Sequence, residues 1–151
     1  MSDTITALAV AADDNSALAF SSMKAETVAE KAALFNAISN PSHKLGDFIN
    51  KVIYVKDIYA ELIDMPKTDA EGNPVYDADG EQIVDKVPRI VIIDKDGDTY
   101  QAVSLSVMNN ITRLFKMFGA PTWEPALPVE VKQISRNNMR IYAFEVRTDL
   151  L

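Results

Sequence analysis

Pro88-Arg89-Ile90-Val91-Ile92-Ile93-Asp94, then Lys95-Asp96-Gly97, then Asp98-Thr99-Tyr100-Gln101-Ala102-Val103-Ser104, is the stretch that decides the fold. Both arms are rich in β-branched residues, and the Gly between them follows an acidic residue, a composition that supplies positive φ in a tight turn. It reads as a strand, a turn and a returning strand. Downstream, Val107, Ile111, Leu114, Phe115 and Phe118 fall on one helical stripe, with Ser106 as N-cap and Gly119 as the stop. Residues 120–125 (APTWEP) follow as an extended linker, because their prolines bar a regular helix or a central strand. Residues 127–136 and 139–146 alternate on either side of Arg136-Asn137-Asn138 and read as a closing hairpin.

Upstream, KVIYVKDIYAELI, ending at Ile63, reads as one long strand bent near Lys56-Asp57, with a helix as the competing reading of its second half. From Ala25 to Ile38 the apolar positions Val28, Ala32, Phe35 and Ile38 keep helical spacing, and Asn40-Pro41 ends that helix. Residues 1–23, rich in Ala, Ser and Asp, read as a mobile arm, which leaves 24–151 as a single domain. Between the long strand and the first hairpin, residues 64–86 form an acidic hairpin insertion. Its pieces Asp69-Ala70-Glu71-Gly72 and Asp77-Ala78-Asp79-Gly80 repeat the cadence of Asp94-Lys95-Asp96-Gly97. A calcium-loop reading of this cadence fails, because Gly97 comes too early and Leu105, not Glu, holds the twelfth position.

The fold class is therefore mainly β with two helices. Five main strands with a helix between the third and fourth match an OB-fold-like five-stranded barrel, here preceded by an N-terminal helix. Fold alone does not give function.

The 151 residues carry 22 acidic and 15 basic side chains, one His and no Cys. Without Cys there is no disulfide scaffold, thiolate metal site or Cys nucleophile, and His43 alone cannot build a triad or a His-pair metal site. The cluster Asp94, Asp96, Asp98 offers carboxylates, but around a water-exposed Gly turn with no pocket wall. No catalytic residue, metal ligand or cofactor is expected. No apolar stretch approaches the roughly 20 residues of a membrane span. Met1 to Phe20 carries Asp3, Asp13 and Asp14 and no basic residue, opposite to a signal peptide, so a cytoplasmic location is expected. The acidity is concentrated: residues 1–39 sum to −3 and 64–86 to −5, while 87–151 reach +1. Local patches, not the total of −7, decide what the surface attracts.

The elements Lys31-Ala32-Ala33-Leu34-Phe35-Asn36-Ala37, Gly46-Asp47-Phe48-Ile49, Tyr100-Gln101-Ala102-Val103-Ser104 before a helix, and the Val129–Val146 hairpin resemble the small single-stranded DNA-binding proteins of tailed phages that replicate by protein priming. The resemblance runs over about residues 31–148. It implies an OB-fold protein that coats the displaced strand without catalysis. Such binding needs rings on which bases stack and cations that follow the phosphates. On an OB reading, Arg89 and Tyr100 lie on the second and third strands, Tyr76 on the insertion, and Lys132, Arg136 and Arg140 around the last hairpin.

Each residue has a plainer reading. Tyr100 groups by alternation with Ala102, which equally points it into the barrel. Trp123 stacks on a base or covers a core edge, and Tyr142 shares a face with Arg140 and Phe144. Tyr54 and Tyr59 fall on opposite faces of a regular strand, and His43 reads as solvated in a polar loop. The expected partner is single-stranded DNA, held by stacking and a local basic track during phage DNA replication. The acidic insertion projects away from the strand or meets replication proteins, and the free protein is a monomer or weakly self-associating. The alternative is a non-enzymatic phage structural or adaptor protein on a small β-barrel, marked by a stable oligomer and an apolar seam.

Overall fold

The computed structural model describes residues 19–151, and its organising element is β3 (Val52–Pro66), into which the β-branched run before Ile63 folds. One edge of β3 pairs antiparallel with β4 (Val84–Asp94). The other edge is shared: Val52–Val55 pair with β6 (Leu127–Arg136), and Tyr59–Glu61 pair with β1 (Ala19–Ser21). β4 turns into β5 (Thr99–Val103), and β6 turns through Asn137 and Asn138, both at positive φ, into β7 (Met139–Val146). A two-residue strand, β2 (His43–Lys44), runs parallel to β5 and completes a seven-stranded mixed sheet.

The pairing of β3 shifts register between Val55 and Asp57, a β-bulge at the expected bend. The bulge inverts the alternation of the strand. Ile53 and Val55 before it and Ile58 and Ala60 after it enter one core, so Tyr54 and Tyr59 come into phase instead of falling on opposite faces. The carbonyl of Lys56 accepts from the N–H of Trp123 at 3.0 Å, which ties the proline-rich linker to the bulge.

The two helices lie on opposite faces of the sheet. α1 (Val28–Ser39) begins at a capping box in which Thr27 and Glu30 satisfy each other's backbone N–H groups. It covers Tyr59, Val91 and Ile93 with Ala37, Leu34 and Ile38. α2 (Leu105–Phe118) fills the other face, where Val107, Ile111, Leu114 and Phe115 pack among Ile58, Ile90, Ile92 and Val129. Its cap is Ser104, whose Oγ accepts from the Val107 N–H, and not the expected Ser106. Ser106 instead accepts from the N–H of Tyr142 on β7 at 3.0 Å.

The fold is thus mainly β with two helices, a curled mixed half-barrel around α2. The expected five-strand layout needs correction: β1 and β2 are additional strands, and β5 and β7 do not pair. The segment read as an arm, residues 1–23, lies outside the described residues up to residue 18. Its described end is held on the sheet, with Phe20 packed edge-on against Phe115 at 5.2 Å and Ser22 Oγ donating to Asp57 at 2.8 Å.

The insertion is built from the repeat seen in the sequence. Asp69, Asp77 and Asp94 each accept two backbone N–H bonds at one carboxylate oxygen, from residues two and four positions on, at 2.9–3.0 Å. Gly72, Gly80 and Gly97 supply the positive φ in each of these turns. The two leaves at Asp69 and Asp77 meet the β3–β4 ladder at a junction closed by three backbone bonds, Lys67 to Ile83, Val75 to Lys67 and Ile83 to Val75.

Candidate nucleic-acid interface

The β6–β7 hairpin carries the free cations among the sequence-predicted residues. Arg136 and Arg140 flank the turn, both exposed, with Ile134 39% and Met139 66% exposed beside them. Lys132, lower on β6, pairs with Glu145 across the ladder, and that carboxylate holds its ammonium above the usual range.

At the base of this hairpin the sheet is open between β5 and β7, and aromatic side chains fill the gap. His43 stacks on Tyr100 at 5.1 Å, and Phe48 meets both rings edge-on at 4.9 and 4.8 Å. His43 is thus a packed ring, not the solvated one its polar neighbours suggested. Phe48 is half-buried and lies under the ammonium of Lys51, 5.2 Å from the ring centroid. Lys51 and Asn50 bond the backbone of Val131 on β6, which brings this turn to the hairpin. Tyr142 is half-buried, and a Cβ on Gly46 would stand 3.1 Å from its hydroxyl oxygen. Burial, aided by the negative charge of Asp47, raises the Tyr142 phenol above its usual pKa.

The remaining predicted residues are placed elsewhere. Tyr100 is 6% exposed, and its hydroxyl donates to Asp94 Oδ2 at 2.8 Å; burial and that bond raise its pKa well above the ordinary phenol value. Trp123 is 8% exposed, donates to the Gly119 carbonyl at 3.1 Å and abuts Phe115 edge-on. Both rings belong to the main core. Arg89 lies under α1, donating to Glu61, Gln101 and the carbonyl of Ile38. Tyr76 is 59% exposed on the second leaf of the insertion. The structure therefore brings Arg136, Arg140, Lys132 and Tyr142 onto one hairpin and separates Arg89, Tyr76 and the two core rings from them.

Among the described residues, no group of three or more His, Asp or Glu side chains is arranged to hold a metal ion. Asp94, the most buried of its cluster, uses both carboxylate oxygens within its own turn and on Tyr100. Among the described residues no helix is long and apolar enough to cross a membrane.

A family model described as phage single-stranded DNA-binding protein matches residues 13–145. The chain belongs to that family. It is a phage single-stranded DNA-binding protein and not an enzyme. No curated protein and no solved structure matches it.

For a phage single-stranded DNA-binding protein, the hairpin and the turn at its base combine exposed cations with half-buried rings, the two groups that single-strand binding requires. Phe48 and Lys51 escaped the sequence reading. Only the element Gly46-Asp47-Phe48-Ile49 pointed toward them, and the turn's pairing with Val131 has no pattern in the residues themselves.

Proposed function

We propose that this chain coats single-stranded DNA without sequence preference, laying it along the β6–β7 hairpin and the turn at its base during phage genome replication. Arg136, Arg140 and Lys51 engage phosphates, while Phe48 and Tyr142 offer ring surface to bases. Tyr100 acts from the core, as the ring against which half-buried Phe48 packs edge-on, while Trp123 packs on Phe115 and takes no part in binding. The observation that carries this reading is that exposed Arg140 shares a face of the hairpin with half-buried Tyr142, with exposed Arg136 on the other face beside the turn, in a chain of this family.

The order of β3, β4, β5, α2, β6 and β7 supports reading the half-barrel as an OB-fold variant. Its binding hairpin then corresponds to the loop between the fourth and fifth strands. The acidic leaves project as a repulsive or partner-facing element that keeps DNA on the basic side and meets replication proteins. The protein works in the host cytoplasm as a monomer or weakly self-associating species, and needs no cofactor.

Anisotropy of end-labelled oligo-dT tests the reading better than Trp quenching, because the buried Trp123 does not face the strand. Saturable binding of oligo-dT, weak for a duplex of equal length and weakened by salt, is expected. Equal binding of both, or loss of neither affinity nor salt dependence in an Arg136→Ala, Arg140→Ala double variant, overturns it.

A further inference from the structure

α1 is a poorly seated element over a sheet face of mixed chemistry. Of its twelve residues only Ala37 is buried, and Phe35 is 64% exposed. Clefts of about 310 and 290 Å³ flank it, both reaching Ala33, one lined by Ile93 and Thr99 and the other by Lys56 and Asp57. Both are grooves open to solvent along the edges of the helix. Its two ends are pinned instead. Ser22 bonds Asp57 and Ile58 before the helix, and Ser42 makes four hydrogen bonds with Thr99 after it, at 2.8–3.2 Å.

Beneath the helix lie a ring and a cation. Tyr59, otherwise enclosed, donates to Glu61 at 2.5 Å, and Arg89 donates to Glu61, Gln101 and the carbonyl of Ile38 near the end of α1. One direct side-chain tether therefore joins the sheet face to the helix backbone, and it is made by a residue type suited to phosphate.

We propose that α1 is a displaceable strap: single-stranded DNA that has engaged the hairpin lifts it and occupies the β3–β4–β5 face, with Tyr59 stacking and Arg89 exchanging the Ile38 carbonyl for a phosphate. The proposal rests on the hairpin reading above. The strap stays attached through Ser22 and Ser42, so opening costs its seat and not the fold. A helix of this length is marginal in water once undocked, so its amides lose protection on opening.

Hydrogen–deuterium exchange of the full chain, with and without saturating oligo-dT, separates the two readings. Slower exchange in 127–146 together with faster exchange in 28–39 is expected. Slower exchange in 127–146 with 28–39 unchanged or slowed overturns the strap and leaves the hairpin reading standing. No protection of 127–146 overturns the hairpin reading. Arg89→Met provides the second readout: α1 exchanges faster in the free protein, and the slope of log affinity against log salt flattens, by at most about 0.7, one phosphate on a single strand, since Arg89 is also paired with Glu61. An unchanged slope removes Arg89 from the DNA face.

Discussion

Asn110 on α2 binds Phe144 on β7 as a neighbouring strand would, its Oδ1 accepting from the Phe144 N–H at 3.2 Å while its Nδ2 donates to the Tyr142 carbonyl at 3.1 Å. Ser106, one turn earlier, accepts from the Tyr142 N–H. Two side chains of one helix thus satisfy the edge of β7 that β5 does not reach, and backbone groups at such an edge must be paired or wetted. The half-barrel is closed by helix side chains, and the rings of Tyr142 and Phe144 are held by that closure.

Asn110→Ala removes both bonds and leaves partly buried backbone groups of β7 without them. A loss of about 2–3 kcal/mol is expected, from about 1 kcal/mol per bond and the cost of the unpaired groups. Urea unfolding measures it. A change within 0.5 kcal/mol or so, the size typical of neutral surface substitutions, would mean that water replaces the amide and that the closure carries no stability.

Tyr100 sits at the centre of the aromatic gap but inside the core, so its substitution should act on stability. Tyr100→Ala is expected to cost about 3–5 kcal/mol, as for other buried aromatic rings. Tyr100→Phe keeps the packing and costs about 1–3 kcal/mol, because Asp94 Oδ2 loses its donor. Affinity for oligo-dT per folded molecule should stay constant in the Phe variant. A drop of tenfold or more there would place Tyr100 in contact with DNA.

Tyr59 gives the fold an alkaline limit. Burial, followed by its bond to the Glu61 carboxylate, pushes its pKa up from 10.0 to about 12. Below pH 10 the phenol is neutral in both states and its stabilising effect is complete. As pH rises from 10 toward 12 the unfolded chain releases the proton first, so stability falls by about 1.4 kcal/mol per pH unit for this phenol. Tyr59→Phe should remove that share of the slope in urea midpoints measured across this range. An unaltered slope would mean that the phenol titrates alike in both states.

The elements with a long periodic signal were legible. The strands read up to Ile63, from Pro88 to Asp94 and over 127–136 and 139–146, and the stripe Val107, Ile111, Leu114, Phe115, all carry core residues, although the β3–β4 ladder runs on to Pro66 and Val84, into the segment 64–86 read as insertion. The short or non-local features were not. β1 and β2 are three and two residues long, below any period, and exist because β3 and β5 each offer an unpaired edge. The phase of Tyr54 and Tyr59 depended on a bulge whose position the strand pattern left open, and the burial of Tyr100 depended on His43 and Phe48 arriving from a distant turn. At the interface, the hairpin cations were visible as a local run, whereas the covering of Arg89 by α1 is a tertiary contact across 51 positions.

The insertion should be separable from the fold. The β3–β4 ladder ends at Pro66 opposite Val84, so the chain can be closed there by a short turn. Replacing 68–82 by Asn-Gly, a sequence suited to a two-residue hairpin, removes five acids and no base. Urea stability should change by less than about 1 kcal/mol, since both leaves are self-contained and exposed. Oligo-dT affinity should rise at low salt and converge with the parent at high salt, because the removed charge acts through a screened field. A fall in affinity at all salt concentrations would instead place Tyr76 and its leaf on the DNA.

Arg136 and Arg140 should show themselves in salt dependence more than in affinity at any one salt. Each cation that neutralises a phosphate on a single strand contributes about 0.7 to the slope of log affinity against log salt, so a fourfold rise in salt weakens binding about 2.5-fold per contact. Arg136→Ala and Arg140→Ala should each flatten the slope by about that amount, and the double variant by about twice as much. Lys132 is the internal control. Its ammonium is already committed to Glu145, so Lys132→Ala should flatten the slope less. Glu145→Gln frees that ammonium and should steepen the slope. Should Lys132→Ala equal the arginine variants while Glu145→Gln leaves the slope alone, the pair opens on binding and Lys132 belongs to the basic track on the same terms as the two arginines.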